Sequence, residues 1–230
     1  MAESPQTVVV DFPLRGEWIA GNTPARRIPS HGTDLLGQRY AYDFVRVDPA
    51  RKGMHFYKAT SLHYLLAGVS LEDCYGWGQP IHSPVQGVVL QAEDGWPERQ
   101  RLQPVKDLFI ALKNGLTFNP KRLTDFRRLG GNHIIIETNI GYVLLAHART
   151  GSIRVSKGDR IDSGHHLADV GHSGNSTAPH LHFHLMDRQD LLTAQGILCC
   201  FREYDVRRDG TWIRVENGIP KHTEIIRSVP

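Results

Sequence analysis

Residues 180–184 place three histidines in alternation, His180, His182 and His184. Successive side chains of a β-strand point to opposite faces, so the three imidazoles would share one face while the apolar residues between them pack on the other. Next-nearest residues on a strand lie roughly 6.5 to 7 Å apart. One imidazole could therefore bind a cation while its neighbour acts on a water that the cation holds. The pattern predicts a metal or proton-transfer site.

A hydrolytic zinc site needs more than one strand can supply. Such a site has three protein ligands and an open position for a water, whose pKa the metal lowers to about 7. A base must also stand beside that water to accept its proton. Distant segments offer Asp43, which interrupts an apolar strand-like run, and His147, which ends a predicted strand just before a turn. We expect at least one of them to join the histidine strand.

Short β runs dominate the chain around these residues. They occupy residues 134–137, 142–147 and 167–170, separated by glycine and asparagine turns, and residues 80–90 indicate a strand, a tight turn and a second strand. This spacing predicts an antiparallel sandwich. Residues 97–128 differ, because their apolar side chains recur every three to four positions, which indicates an amphipathic helix. The excess of basic residues there could attract an anionic polymer, but a solvated helix face is preferred.

The composition of the 230-residue chain selects no partner. A net charge of +3, from 27 basic and 24 acidic residues, is not the concentrated positive field of a nucleic-acid binder. Neither a signal peptide nor an apolar run of about 20 residues is visible, so the sequence as written predicts a cytoplasmic protein without a membrane span. The three cysteines are predicted to be buried free thiols: Cys74, Cys199 and Cys200. Three histidines beside turn glycines are predicted to be exposed: His165, His166 and His172.

Several motifs occur in an order that resembles a known family. Residues 174–183 read Gly-Asn-Ser-Thr-Ala-Pro-His-Leu-His-Phe, and they follow Leu-Ala-His at 145–147 and Val-Ser-Lys-Gly-Asp-Arg-Ile at 155–161. This set is similar to the lysostaphin-type zinc endopeptidases, which cut peptide bonds in bacterial cell-wall peptidoglycan. The run at 80–90 is similar to the strand, turn and strand that open the same domain. The resemblance covers about residues 76–186.

The resemblance implies a mainly β fold of two mostly antiparallel sheets, the duplicated hybrid motif, with one zinc ion in a groove. We therefore expect a β core formed by residues 14–94 and 131–186. The helical periodicity indicates an insertion at residues 95–130, and the strand-like residues 212–215 indicate a C-terminal β extension over residues 187–230. All of these parts would belong to a single domain of residues 1–230.

The resemblance also assigns roles to the histidines. His182 would be a zinc ligand, while His180 and His147 would polarise the water and stabilise the oxyanion formed during attack. A placed oxyanion donor is typically worth about 3 to 4 kcal/mol, and a general base roughly 10²- to 10⁴-fold in rate. His184 lies where many relatives carry a carboxylate. It could orient His182, bind substrate or be only a satisfied polar residue.

The upstream motif departs from the family pattern. In the family three residues separate the first histidine ligand from the aspartate ligand, but the position four before Asp43 is Arg39, which cannot bind zinc. His31 is the substitute, so the predicted zinc ligands are His31, Asp43 and His182. A rival pairing takes His31 with Asp34. Asp43 is preferred because it lies on a strand-like segment, whereas Asp34 lies in an apparent loop.

The sequence thus predicts a zinc-dependent metalloendopeptidase with one zinc ion per chain. Its substrate would be peptidoglycan or a short glycine-containing peptide. The alternative is a catalytically silent domain of the same fold that binds cell-wall peptide or activates a partner hydrolase. A phosphate-accepting carrier is disfavoured by the histidine run itself. The family is usually extracytoplasmic, so the compartment stays open, as does the oligomeric state.

Overall fold

The structure is a computed structural model that describes residues 8–51, 53, 55–117 and 125–229. Its helices are α1 (Ser61–Ala67), α2 (Pro104–Thr117) and α3 (Arg127–Gly130), with 3-10 turns at Leu35–Tyr40 and Leu71–Asp73. Its strands are β1 (Val8–Val10), β2 (Glu17–Asn22), β3 (Tyr42–Arg46), β4 (Val69–Ser70), β5 (Pro80–His82), β6 (Gly87–Glu93), β7 (Arg101–Leu102), β8 (Asn132–Thr138), β9 (Gly141–Ala148), β10 (Arg160–Ile161), β11 (His166–Asp169), β12 (His180–Met186), β13 (Gly196–Ile197), β14 (Cys199–Arg208), β15 (Thr211–Gly218) and β16 (Ile225–Arg227).

Most strands form one twelve-stranded sheet. Its order is β1-β14-β16-β2-β3-β12-β9-β8-β6-β10, with β13 added to β12 and β15 to β14. Among the strand pairs of the described residues, β1 with β14 is parallel and the others are antiparallel. Two small sheets, β11-β5 and β4-β7, complete the fold. The predicted mainly β fold, mostly antiparallel and with a helical insertion, is confirmed.

The histidine strand β12 lies inside the large sheet, between β3 and β9. Its apolar residues Leu181, Phe183 and Leu185 are at most 1% exposed and belong to the main core. The ring of Phe183 packs against those of Tyr42 and Phe201, at centroid distances of 5.9 and 5.8 Å. Burying each such side chain contributes roughly 1.5 to 3 kcal/mol. This packing fixes the strand, and the alternation then forces its histidines onto the opposite face, as predicted.

Strand register brings the distant site residues to the histidine strand. In the antiparallel pair of β12 with β3, His182 lies opposite Asp43. In the pair of β12 with β9, His182 lies opposite Ala146, so His147 follows at the same end of the sheet. Directly opposed residues have Cβ atoms about 4.5 to 5.5 Å apart. Two sheet contacts therefore gather three parts of the sequence that are far apart along the chain.

The remaining segments include the helical insertion and the C-terminal strands. Helix α2 lies in the predicted insertion, of which residues 118–124 lie outside the described part. The C-terminal strands β14 and β16 pair with the same large sheet. The three cysteines are free and buried, as predicted. No helix in the described ranges is long and apolar enough to cross a bilayer.

Candidate metal centre and catalytic site

Three of the predicted site residues meet around one carboxylate. Asp43 Oδ2 lies 2.8 Å from His31 Nε2, and Asp43 Oδ1 lies 2.9 Å from His182 Nδ1. The three side chains come from a loop, from β3 and from β12, and each is mostly removed from solvent. One ligand atom from each lies within 4.8 Å of the others. Sequence reasoning therefore named a set that the fold brings together.

This set fits zinc by its chemistry. Zinc in hydrolytic sites takes three protein ligands drawn from imidazole nitrogens and carboxylate oxygens, and it keeps a fourth position open. Burial would raise the pKa of Asp43, but charge on His31 and His180 lowers that pKa well below its ordinary value. Asp43 is therefore ionised at neutral pH, as a ligand must be. Two histidines and an ionised aspartate supply the required donors.

His31 reaches the cluster from the loop before the 3-10 turn at Leu35–Tyr40. Ser30 Oγ lies 3.0 Å from His31 Nδ1, so the other ring nitrogen, Nε2, is the one that faces Asp43. Asn22 donates from Nδ2 to Asp43 Oδ2 at 2.7 Å and fixes the carboxylate from the neighbouring strand β2. Sequence reasoning missed Asn22, because nothing near it in the chain marks it as a partner of Asp43.

Arg39 and Asp34, from the upstream motif that differs from the family pattern, lie outside this cluster. Arg39 donates from Nη1 to Asp34 Oδ1 at 2.6 Å, and both side chains are largely exposed. Neither belongs to the group of described residues whose donor atoms converge. The rival pairing of His31 with Asp34 therefore has no support in the geometry, and the expected pairing with Asp43 does.

His147 and His180 lie beside the ligand cluster. Their ring centroids are 4.7 Å apart, and the His147 ring lies 5.9 Å from that of His182. His147 Nδ1 is 2.9 Å from the Ser173 carbonyl oxygen, and His180 Nδ1 is 2.7 Å from that of Ala178. A carbonyl accepts, so both rings carry their hydrogen on Nδ1. Each Nε2 is then the nitrogen available for proton exchange, and that of His180 also lies 3.4 Å from Asp43 Oδ1.

His147 has an uncommon backbone conformation for a strand residue. Its φ is +63°, in the left-handed region that non-glycine residues seldom adopt. The residue is 7% exposed and is held by the hydrogen bond to Ser173. Backbone strain of this kind costs about 1 to 3 kcal/mol and concentrates at functional sites. The strain agrees with a role for His147 beyond packing.

Burial and charge push the pKa values of these histidines in different directions. Burial and repulsion from His180 lower the pKa of His147 well below its ordinary value. Burial alone would lower the pKa of His180, but the charge of Asp43 and a hydrogen bond to it raise that pKa. The pKa of His182 is lowered, mainly by burial. Such divergent shifts in one cluster are typical of active sites.

His184 contacts the second ring nitrogen of the predicted zinc ligand. His184 Nδ1 lies 3.0 Å from His182 Nε2, and the two rings meet edge to face at a centroid distance of 5.3 Å. Ligand histidines usually have such a partner, which fixes the ring and its tautomer. Of the open alternatives for His184, the geometry favours orientation of His182.

A cavity of about 230 Å³ opens over the cluster. Its polar wall contains all five predicted site residues and His184. Its lining also includes Phe126, Leu129 and Gly130 near α3, and Asn175 and Thr177 of the loop before β12. A peptide segment could enter such a space and meet the histidines.

A buried polar network behind His180 links it to the helical insertion. Ser176 Oγ donates to the Ala178 carbonyl at 2.6 Å and lies 3.0 Å from His172 Nδ1. Arg99 donates to His172 Nε2 at 3.0 Å and to the Ser176 carbonyl at 2.5 Å. The Arg99 guanidinium is in turn held by Asp107 of α2, at 3.0 Å. His172 is thus buried in this network, and the prediction that it is exposed was wrong.

At Gly174, the loop before β12 packs so closely against the backbone at Gly131 that a side chain would not fit. Gly174 has a φ of +69°, and a Cβ built on it would lie 2.3 Å from the Gly131 backbone nitrogen. Only glycine fits this approach. The glycine at the start of the histidine motif therefore serves the positioning of the loop that carries Ser176.

Comparison with known proteins finds one family model that matches part of the chain and a set of distantly similar structures. Residues 109–193 match the model of Peptidase family M23. The catalytic domain of lysostaphin from Staphylococcus simulans is 19% identical, with a TM-score of 0.39, over 79% of this chain and 88% of that domain. A zinc-containing peptidase from Vibrio cholerae is 18% identical, with a TM-score of 0.39, over 83% and 39%.

A putative M23 peptidase from Pseudomonas aeruginosa is 16% identical, with a TM-score of 0.37, over 79% of this chain and 46% of that one. The chain thus spans less than half the length of two of these three proteins. No curated protein matches the sequence. The matched segment contains His147, His180 and His182. The resemblance inferred from the motifs is confirmed, because residues 109–193 match the model of Peptidase family M23.

Proposed function

We propose that the chain is a zinc-dependent metalloendopeptidase whose zinc ligands are His31, Asp43 and His182. One observation carries the proposal: donor atoms from three separate segments converge within 4.8 Å, on the wall of a cavity that also contains His147 and His180. A structural role alone would not gather five such side chains around one opening. The match to a peptidase family supports the same reaction class.

Zinc would act in this site as a Lewis acid that polarises a carbonyl and acidifies water. The protein's own contribution comes from two imidazoles with a fixed tautomer. His147 and His180 each direct Nδ1–H to a backbone carbonyl, so Nε2 can accept a proton from the attacking water or, once protonated, donate to the oxyanion. The carbonyl contacts hold both rings in place before substrate arrives.

The proposed substrate is peptidoglycan or a short glycine-containing peptide. The lysostaphin-type resemblance supports this class, and the cavity size agrees with a short peptide segment rather than a folded protein. His184 would orient His182 by its contact with Nε2. Asn175 and Thr177 line the cavity, where the Thr177 hydroxyl and the Asn175 Nδ2 group can hydrogen-bond a peptide backbone.

Metal content tests the ligand set. We expect one zinc ion per chain by elemental analysis of protein dialysed against trace zinc. The variants His182→Ala, Asp43→Ala and His31→Ala should each lose or weaken zinc binding. His165→Ala, at an exposed histidine outside the cavity, is the matched control and should keep one zinc ion. A wild-type protein that binds no zinc after supplementation would contradict the proposal.

Hydrolysis tests the catalytic roles. The zinc-loaded protein should release soluble peptides from purified peptidoglycan or cleave a short oligoglycine peptide. His147→Ala and His180→Ala should keep the zinc ion and lose at least 10²-fold in turnover. Unchanged turnover in both variants would reject the assigned roles. A protein that holds zinc and binds the peptides but cleaves none of them would support the silent binding domain instead.

A further inference from the structure

Helix α2 presents its polar side to the protein and its apolar side to solvent. Asp107 is 2% exposed and pairs with Arg99, and Asn114 donates to Asn175 Oδ1 at 2.9 Å. The opposite side carries four large apolar residues that are 59 to 71% exposed: Val105, Leu108, Phe109 and Leu112. A surface helix of a globular protein normally buries its apolar stripe. In α2 the arrangement is reversed.

Helix α1 extends the same apolar surface. Leu62, Leu65 and Leu66 are 59 to 76% exposed, and a groove of about 440 Å³ runs between the two helices. Seven of the eleven large hydrophobic residues that are exposed in the described ranges lie on α1 and α2. We call these seven residues the helical apolar surface. A concentration of this kind marks an interaction site rather than chance exposure.

The charges on these helices are positive. Lys106 and Lys113 are exposed on α2, and Arg101 is exposed just before it. The Arg101 guanidinium lies at the C-terminal end of α1, where Nη2 donates to the Ala67 carbonyl at 3.1 Å. Within the described part of both helices no acidic side chain is exposed, because Asp107 is turned inward. The surface thus combines apolar side chains with cations.

We propose that the helical apolar surface binds the interface of an anionic lipid membrane. Apolar side chains of an interfacial helix enter the boundary between headgroups and acyl chains, while lysines and arginines meet anionic headgroups. A second copy of the chain is a poorer occupant, because a two-fold contact pairs the same patch on both subunits and would place one cationic surface against another. Anionic lipid instead matches the positive charge of this surface. The proposal does not depend on zinc or on hydrolysis.

Vesicle binding tests the proposal. The full chain should co-sediment with vesicles of equal parts phosphatidylglycerol and phosphatidylcholine, and much less with phosphatidylcholine alone. Leu108→Glu combined with Phe109→Glu should reduce the partition coefficient at least tenfold. Leu192→Glu, at an apolar residue that is 47% exposed outside both helices, is the matched control and should leave binding unchanged.

A charge variant provides a second measurement that does not alter the apolar side chains. Lys106→Gln should weaken binding to the anionic vesicles about fivefold, since one basic residue near an anionic surface contributes about that factor. Lys157→Gln, at an exposed lysine in the turn before β10, should have no effect. Each variant removes one exposed positive charge, so a general electrostatic effect would weaken vesicle binding equally in both.

Three results would overturn the proposal. The first is a wild-type chain that binds neither vesicle. The second is equal binding to both vesicles, which would remove the role of the cations. The third is a dimer, detected by concentration-dependent sedimentation without lipid, that the Leu108 and Phe109 double variant dissociates. That result would assign the surface to a second copy of the chain.

Discussion

At the residue scale, the proposed zinc ligand His31 lies beside Asp43, in the place that the family pattern gives to position 39. Arg39 pairs with Asp34 in an exposed turn, while His31 lies 2.8 Å from Asp43. The sequence could predict Asp43, because a carboxylate that interrupts an apolar strand is conspicuous. It could name His31 only as a substitute, because a loop has no periodicity from which the position of a side chain can be calculated.

We predict that Arg39→Ala does not change zinc binding. The guanidinium contacts Asp34 and Tyr40 and lies outside the group of converging donors. The free energy of unfolding should change little, because exposed ion pairs contribute little to stability. Elemental analysis and a zinc titration would compare zinc binding in Arg39→Ala with zinc binding in His31→Ala. A loss of zinc in Arg39→Ala would mean that the turn positions His31.

A second prediction at this scale concerns how the free energy of unfolding depends on pH. Burial and the charge of Arg99 lower the pKa of His172 from 6.5 to about 3. Between these values the unfolded chain binds a proton at this histidine and the folded chain does not. The free energy of unfolding therefore falls as the pH drops from 6.5 towards 3. Between pH 7 and pH 5, protonation of this one group in the unfolded chain should lower the free energy of unfolding by roughly 2 kcal/mol.

The variant His172→Gln should have a shallower fall in unfolding free energy over that range, measured by denaturant titration at several pH values. His165→Gln is the control, because His165 is exposed and a short distance away in the chain. The control should keep the wild-type dependence. Identical pH profiles for the wild type and His172→Gln would show that His172 is protonated in the folded protein near its ordinary pKa.

At the element scale, the histidine strand and the helical insertion differ in how far the sequence predicts them. Strand β12 follows from a period of two, and its buried apolar residues confirm the pattern. The period of α2 also predicts a helix, but not which side faces the protein. Asp107 of α2 acts on residues more than 60 positions later, through Arg99. Contacts of that separation leave no local pattern.

We predict that Asp107→Asn lowers turnover without loss of zinc. The substitution removes the charge that holds Arg99, and Arg99 in turn holds the loop behind His180 through Ser176 and His172. A shift of about 1 Å at a catalytic group can cost on the order of 10²-fold in rate. We therefore expect a tenfold to hundredfold fall in kcat with KM and zinc content near the wild-type values.

The matched control is Asp187→Asn, which removes a carboxylate from an exposed pair with Arg188. It should leave kcat unchanged. If Asp107→Asn instead changes KM alone, or loses zinc together with cooperative unfolding, then the network supports folding and substrate access rather than the position of His180.

At the scale of the whole molecule, the site depends on a sheet that uses both ends of the chain. Strand β14, from the predicted C-terminal extension, lies between β1 and β16 of the large sheet. The Phe201 ring of β14 packs against those of Phe12, Tyr42 and Phe44, at centroid distances of 5.2 to 5.6 Å. The sequence predicts β structure in the C-terminal extension, which supplies β14 and β16. Their pairing depends on shape complementarity between aromatic rings, which no local pattern records.

The aromatic cluster should therefore control the stability of the metal site from the side of the sheet opposite the histidines. Phe201 has no exposed surface, and Phe183 alternates with His182 and His184 on β12. Phe201→Ala should lower the free energy of unfolding by about 3 to 5 kcal/mol, because it opens a cavity among packed rings. Denaturant titration would measure the loss.

Ile213→Ala, on β15 of the same C-terminal region, is the control, because Ile213 is 43% exposed and should cost well under 1 kcal/mol. Phe201→Ala should also weaken zinc binding when the protein is held near its unfolding midpoint, since only the folded sheet presents Asp43 to His182. A large loss of stability without any loss of zinc would mean that β3 and β12 stay paired when β14 is displaced. The C-terminal strands would then be separable from the part of the sheet that forms the site.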